Sequence, residues 1–307
     1  MSNPLVELLR NHVLADEIDE LGHLSVPFYE SRALIASRLL ANELGCHLSA
    51  QSADGTEFTL VDSYLKNVRE QFLDAPLVVR GGVLKASAER LSIYQEIFNS
   101  EQDVLAAAFI HKFELRRRDM SEQLPFGDEV VQRATDAVVD IPEYGPPRSI
   151  DLNKPPNRLS FGTARLLELP CTQPRSIEAE ECDETGLFLR EQFASLPYRG
   201  FSDDEQTMEW VYETKDGRRL GIADLESRNV LYGLPREGDQ IQVFSANVKL
   251  ERKVLQRSHW IFNLRDESLI SAAMTVSIPL DLDARKSVAI PPEMREKLAQ
   301  QFHPDLL

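Results

Sequence analysis

The stretch Asp16 to Tyr29, DEIDELGHLSVPFY, gathers residue types that could handle an acyl group. Asp19 opens a D-x-x-G-H run, Gly22 permits a tight backbone turn, and Pro27 suits the first turn of a following helix. A carboxylate just before a helix start lies near N–H groups that the helix leaves without acceptors, here around Val26, Pro27 and Phe28. Such donors, at the positive end of the helix dipole, polarise a carbonyl and stabilise a tetrahedral oxyanion. Asp19 would then attack the carbonyl carbon or activate a water to do so, and the two roles stay open. His23 titrates in a range that suits a hydrogen-bond donor or proton shuttle, with a structural or ligand-orienting part as the plainer alternative. The plainer alternative for Asp19 is a cap or turn aspartate, since D-x-x-G is a common turn.

These residues need a helix behind them and a sheet beneath it. PFYESRALIASRLLANELG is predicted to be that helix: Leu34, Ile35, Leu39, Leu40 and Leu44 share an apolar side, and Gly45 stops it. Then come FTLVDSYLKNVREQF, PLVVRGGVLKASAERLSIYQEIFN and VLAAAFIHKFELRRR, where β-branched and aromatic residues alternate with polar ones as in antiparallel strands.

The same order of patterns occurs twice. DELG at Asp19 recurs as DETG at Asp183, LKNV at Leu65 as SRNV at Ser227, AAAF at Ala106 as SAAM at Ser271, and LPFGDEVVQRA at Leu124 as IPPEMREKLAQ at Ile290. These matches lie about 162 to 166 residues apart, which signals a duplicated domain. Between the copies Pro142, Pro146, Pro147, Pro155 and Pro156 exclude continuous helix or central strand. The expected organisation is a domain over 1–140, a proline-rich linker over 141–160 and a second domain over 161–307. The copies differ where chemistry is expected: Asp183 and Gly186 remain, but Leu187 stands at the His23 position and Glu191 at the Pro27 position. Pro197 and Gly200 also interrupt the second helix early. One working site at Asp19 follows as the expectation, with Asp183 and Gly186 as candidates for a second.

At 307 residues and 42% hydrophobic composition, the chain can bury two cores. A formal charge of -16 argues against nucleic acid or an anionic membrane surface as a broad partner. No apolar run reaches about 18 residues, and the first residues lack the pattern of a secretory signal. Cys46, Cys171 and Cys182 fit neither a disulfide framework nor a zinc site, so a reducing, cytoplasmic setting is expected. His12, His47, His111, His259 and His303 are scattered without metal-ligand spacing, and no metal or other cofactor is expected.

From Asp19 through Pro27 and into the helix, the segment resembles the active-site stretch of hotdog thioesterases of the 4-hydroxybenzoyl-CoA thioesterase-like family. REGDQIQV at Arg236, within the later order of strands, looks like the same family. The resemblance implies an α+β fold of two tandem hotdog domains, each a long helix wrapped by a curved antiparallel sheet, packed as a pseudo-dimer with the pocket at the seam. It assigns Asp19 as nucleophile or general base and an acyl-CoA or acyl carrier protein thioester as substrate, and it leaves room for homo-oligomers of such protomers. Ser63 and Asn67 on the strand after the helix are candidates to line the pocket with Tyr29; outward polar positions are the alternative. The basic runs at Leu115 and Lys249 are candidates for the coenzyme phosphates, against the alternative of a solvated face. A hotdog hydratase or dehydratase is a competing function, but its D-x-N-x-x-H pattern is missing from DELGHLSVPF. A non-catalytic acyl-ligand sensor or assembly module is the other, because fold does not fix function.

Overall fold

The structure, a computed structural model, describes residues 3–19, 21–46, 55–198, 211–214 and 217–307. Its backbone divides into two units, Met1–Arg148 with Arg190–Ala194, and Ser149–Leu189 with Ser195–Leu307. In unit 1 the chain forms β1 (Val6–His12), α1 (Val26–Glu43), β2 (Thr56–Asn67), β3 (Pro76–Ala86), β4 (Leu91–Asn99), β5 (Val104–Arg117), a short β6 (Gln123–Leu124) and α2 (Asp128–Asp136). The main strands pair antiparallel in the order β1-β3-β4-β5-β2, and α1 packs against β1, β3 and β4.

The buried side of α1 takes in Leu34, Leu40 and Leu44 of the expected stripe but not its other two residues. Tyr29, Ala33, Ala36 and Leu40, at helical spacing, face the sheet, whereas Ile35 and Leu39 are 43% and 39% exposed. Alanines on the contact row let the helix axis approach closely, so the packed face joins Ala33 and Ala36 to the buried Leu34, Leu40 and Leu44 of the expected stripe. The helix ends as its glycine demands: Gly45 sits at φ 89°, Cys46 N–H donates to Ala41 C=O at 2.9 Å and Gly45 N–H to Asn42 C=O at 3.0 Å.

Unit 2 contains α3 (Phe161–Leu166), β7 (Arg175–Ser176), β8 (Val211–Glu213), β9 (Arg219–Leu231), β10 (Gln240–Leu250), β11 (Leu255–Asn263), β12 (Leu269–Asp281), β13 (Lys286–Ser287) and α4 (Pro292–Ala299). Its order, β7-β10-β11-β12-β9, repeats that of unit 1 strand for strand. The duplication is visible in individual hydrogen bonds. Val13 N–H to Ala75 C=O returns as Ile177 to Asp239, Leu24 to Gln71 as Phe188 to Pro235, and Val68 to Ala106 as Tyr232 to Ile270, every partner shifted by 164 positions. This constant offset places Ser227 at the Ser63 position, Asn229 at the Leu65 position and Leu231 at the Asn67 position. Matching Asn67 to Asn229 by letter was therefore two residues out of register. The Ala106 and Leu124 matches slip likewise, to Ile270 and to Ile290 opposite Phe126. A one-residue slip in a strand reverses the face a side chain occupies, which letters alone do not reveal.

At the place of α1 the second copy has instead the 3-10 segment Arg190–Tyr198, with Pro197 inside it, and the first five residues of this segment group with unit 1. Proline removes an N–H and restricts the residue before it, consistent with the early interruption expected there. Gly200 and His47 lie outside the described residues.

The proline-rich connector is fastened rather than loose. In unit 1 the Lys66 ammonium, 2% exposed, donates to the carbonyls of Tyr144 (2.6 Å), Gly145 (3.3 Å) and Pro146 (2.9 Å). Proline-rich chain leaves its carbonyls without intrachain donors, and the lysine supplies them. In unit 2, Arg228 donates to Asp151 C=O and Lys154 C=O at 3.1 and 2.7 Å, and Trp260 Nε1–H donates to Asn157 C=O at 2.7 Å. Among the described residues no helix is long and apolar enough to cross a membrane.

Candidate functional site

The chain reaches Asp19 through a 3-10 turn at Ala15–Glu17 and leaves it through an extended step into α1. Asp19 N–H donates to His23 C=O at 2.9 Å and Gly22 N–H donates to Asp19 C=O at 3.0 Å. Gly22, at φ 83°, supplies the left-handed conformation that closes this turn. The Asp19 side chain completes it: Oδ1 accepts from Leu21 N–H at 2.9 Å and from His23 N–H at 3.3 Å. Oδ2 is left for the His23 ring, whose Nδ1 lies 2.9 Å away, while Nε2 lies 3.7 Å from Glu70 Oε1. The Asp19 and His23 side chains are 29% and 20% exposed, so the pair stays open to solvent.

Asp19 does not cap α1. Ser25 holds the N-cap position and makes no side-chain cap bond. Of the three expected oxyanion donors, Pro27 has no N–H, and Phe28 N–H donates to Ser25 C=O at 3.1 Å. Only Val26, the first helical residue, keeps an N–H without a backbone acceptor among the described residues. The expected three-residue oxyanion site narrows to this one donor.

The remaining candidates are placed differently. Tyr29 is 4% exposed within an apolar cluster with Val13, Ala33, Leu65 and Phe109. Burial holds its phenol above the usual tyrosine range, and its oxygen is in hydrogen-bond contact with the Gln71 backbone. Ser63 faces the core and donates to Glu30 Oε1 at 2.8 Å, so this hydroxyl is engaged inside unit 1. Asn67, at the end of β2, is half-buried. Several cations of the basic runs have neighbours within the chain. Arg116 Nε lies 2.7 Å from Glu114, Arg117 Nε 3.2 Å from Glu122, Lys249 Nζ 2.9 Å from Glu251, and Lys253 donates to Ser287. Lys249–Glu251 and Arg117–Glu122 are exposed pairs, as on the solvated face that is the alternative to a phosphate site.

One organising residue escaped the sequence argument. Arg32, on the buried side of α1, ion-pairs with Glu17 at 2.5 Å, and its guanidinium also donates to Asn11 Oδ1, Phe28 C=O and His12 C=O. Glu17 in turn accepts from Leu14 N–H at 2.8 Å, and its backbone carbonyl accepts from Ser25 N–H at 2.9 Å. Arg32 thus ties the end of β1, the turn before Asp19 and the first turns of α1 into one rigid unit. The signal available was an arginine set between Tyr29 and Ala33 on an otherwise apolar helix row.

In unit 2 the D-x-x-G turn is rebuilt almost atom for atom. Asp183 N–H donates to Leu187 C=O at 2.8 Å, Gly186 sits at φ 75°, and Asp183 Oδ1 accepts from Thr185 N–H and Leu187 N–H at 2.8 and 3.1 Å. Leu187, 2% exposed, replaces the histidine, and the Thr185 hydroxyl donates to Oδ1 at 2.6 Å. The backbone turn therefore needs only the aspartate and glycine; the imidazole on the carboxylate belongs to Asp19. Among the described residues no three or more His, Cys, Asp or Glu side chains are grouped to hold a metal ion.

No family model matches the chain, and no curated protein matches it in sequence. Solved structures do share its fold. The acyl-ACP thioesterase of Bacteroides thetaiotaomicron superimposes with a TM-score of 0.65 at 9% identity, over 89% of this chain and 97% of that one. The 12:0-ACP thioesterase of Umbellularia californica gives 0.66 at 10% identity, over 90% and 94%. Coverage of both units in single neighbours shows that this α+β architecture is that of tandem hotdog proteins.

Proposed function

We propose that the protein hydrolyses an acyl thioester, with Asp19 and His23 as the chemical centre and Val26 N–H as the donor toward the developing oxyanion. The observation that carries this is the 2.9 Å contact of His23 Nδ1 with Asp19 Oδ2 at a half-exposed turn immediately before a helix start. An aspartate holding one ring nitrogen fixes the tautomer and orientation of the imidazole and stabilises it when it takes a proton. His23 Nε2 is then the atom that accepts a proton from water. Asp19 can alternatively act directly, since among the described residues Oδ2 is bound by a group that can turn away; the nucleophile and general-base roles both remain in play. The shared fold of acyl-ACP thioesterases supports a thioester as the reacting group, carried by coenzyme A or by an acyl carrier protein.

Asp183, with its carboxylate engaged by Thr185 and Leu187, is assigned a structural role in this scheme. That same observation favours a second reading. A D-x-x-G turn that forms without histidine is able to serve folding alone, as a non-catalytic acyl-binding module would need. Thiol release from a panel of acyl-CoA and acyl-ACP thioesters, by wild type and by His23→Gln, separates the two. Turnover of at least one acyl class, reduced about tenfold or more in H23Q, supports hydrolysis at this site. Binding without any thiol release supports the module.

A further inference from the structure

Beneath α1, a polar layer crosses the core of unit 1. The Glu30 carboxylate, 3% exposed, accepts from the Ser63 hydroxyl of β2 at 2.8 Å. His111 of β5, fully buried, brings Nε2 to 3.2 Å from Glu30 Oε1 without the alignment of a hydrogen bond, and its Nδ1 has no partner among the described residues. The rings of Phe109 and Phe113 meet the imidazole edge-on at 5.2 and 5.8 Å between centroids. Two separate apolar clusters lie on either side, one with Leu40, Ile93 and Phe113, the other with Tyr29, Leu65 and Phe109.

A buried carboxylate beside an incompletely bonded imidazole is a poor way to hold a core together, because apolar residues of similar volume do this as well or better. The second copy does not keep this carboxylate–imidazole pair: 164 positions on, Glu30 becomes Ala194 and His111 becomes Thr275, whose hydroxyl instead lies 3.2 Å from Nε2 of the buried His259. The layer is kept in the unit that has His23 and a full α1. Glu30 also lies four residues after Val26, hence one turn below it on the same side of the helix.

We propose that Glu30, held by Ser63 and His111, is a positioning residue that fixes the first turn of α1 on the sheet and so sets Val26 N–H against the Asp19 turn. Arg32 secures the same turns from the β1 side, and Glu30 secures them from β2 and β5. Loosening the Glu30 side leaves the helix folded but lets its start move by fractions of an ångström, which is enough to misplace an oxyanion donor.

The kinetic half of the test rests on the proposed hydrolysis; the exchange half does not. The double variant Glu30→Met with His111→Leu replaces the layer by apolar volume. It should keep or raise the wild-type Tm, lower kcat at least about tenfold with KM within about twofold, and speed amide exchange over residues 26–32 relative to 34–40. Wild-type kcat together with wild-type exchange in the folded double variant would overturn the proposal and leave the layer as core structure. Should that variant not fold, Ser63→Ala removes only the hydroxyl on Glu30. Faster exchange over 26–32 and a few-fold lower kcat are expected of S63A, and unchanged exchange would count equally against the proposal. If no acyl thioester is turned over by the wild type, the hydrolysis proposal fails, and exchange alone decides the positioning role.

Discussion

Asp19 has two duties, and its two oxygens divide them. Oδ1 closes a backbone turn that Asp183 closes in the same way, and Oδ2 meets an imidazole that only the first copy possesses. The first duty was legible in the sequence, because D-x-x-G states its own turn chemistry. The second was half legible: His23 was conspicuous by type, but its contact with Oδ2 depends on a chain reversal that letters do not show. Arg32 was not legible as a site residue, since its partners Glu17, Asn11 and His12 come from a strand and a turn 15 to 21 positions away. Its role is testable in isolation. Arg32→Met leaves Glu17 buried without its cation, and a destabilisation of about 3–5 kcal/mol is expected in urea unfolding. A loss below about 1 kcal/mol would show that the pair does not tie α1 to β1.

Among the elements, the strands were readable as strands, although β2, β4 and β11 are buried along nearly their whole length rather than alternately, and the helix face was readable in part. Leu34, Leu40 and Leu44 of the expected stripe are buried, but Ile35 and Leu39 lie outside, because the buried side turns toward Tyr29, Ala33 and Ala36. Central strands also hide polar groups that pattern cannot place. His259 of β11 is fully buried, with Ser245 Oγ 2.8 Å from Nδ1 and Thr275 Oγ1 3.2 Å from Nε2. Burial first, and then the Arg257 charge, push its proton affinity well below the ordinary histidine range. In the unfolded chain the same imidazole protonates near pH ~6.5. The unfolded state therefore binds the extra proton first, and stability present above that pH is lost as pH falls below it. His259→Gln should flatten the decline in Tm between pH 7.5 and 5.5; an equally steep decline in the variant would assign acid sensitivity elsewhere.

For the whole molecule, duplication organises everything else. The constant offset of 164 lets each unit serve as a control for the other: the same strand order and the same D-x-x-G turn, but a different helix and different core polarity. Repetition of the motif was readable, and its exact register was not, because similar residues recur every two positions along a strand. The connector was read correctly as neither helix nor central strand, while its anchoring by Lys66 and Arg228 depends on long-range contacts. Lys66→Met should expose the connector, so that trypsin cleaves at Arg148 about tenfold faster than in wild type with Tm little changed. Equal cleavage rates would show that the lysine is not what holds it.

The asymmetry between the copies carries the functional claim, and one assay addresses it. Thioester hydrolysis, followed by thiol release, can be compared in wild type, Asp19→Asn and Asp183→Asn at equal folded concentration. An Asp19-centred site requires at least about a hundredfold loss in D19N and a much smaller effect in D183N. Wild-type turnover in D19N, or equal loss in both variants, would contradict it.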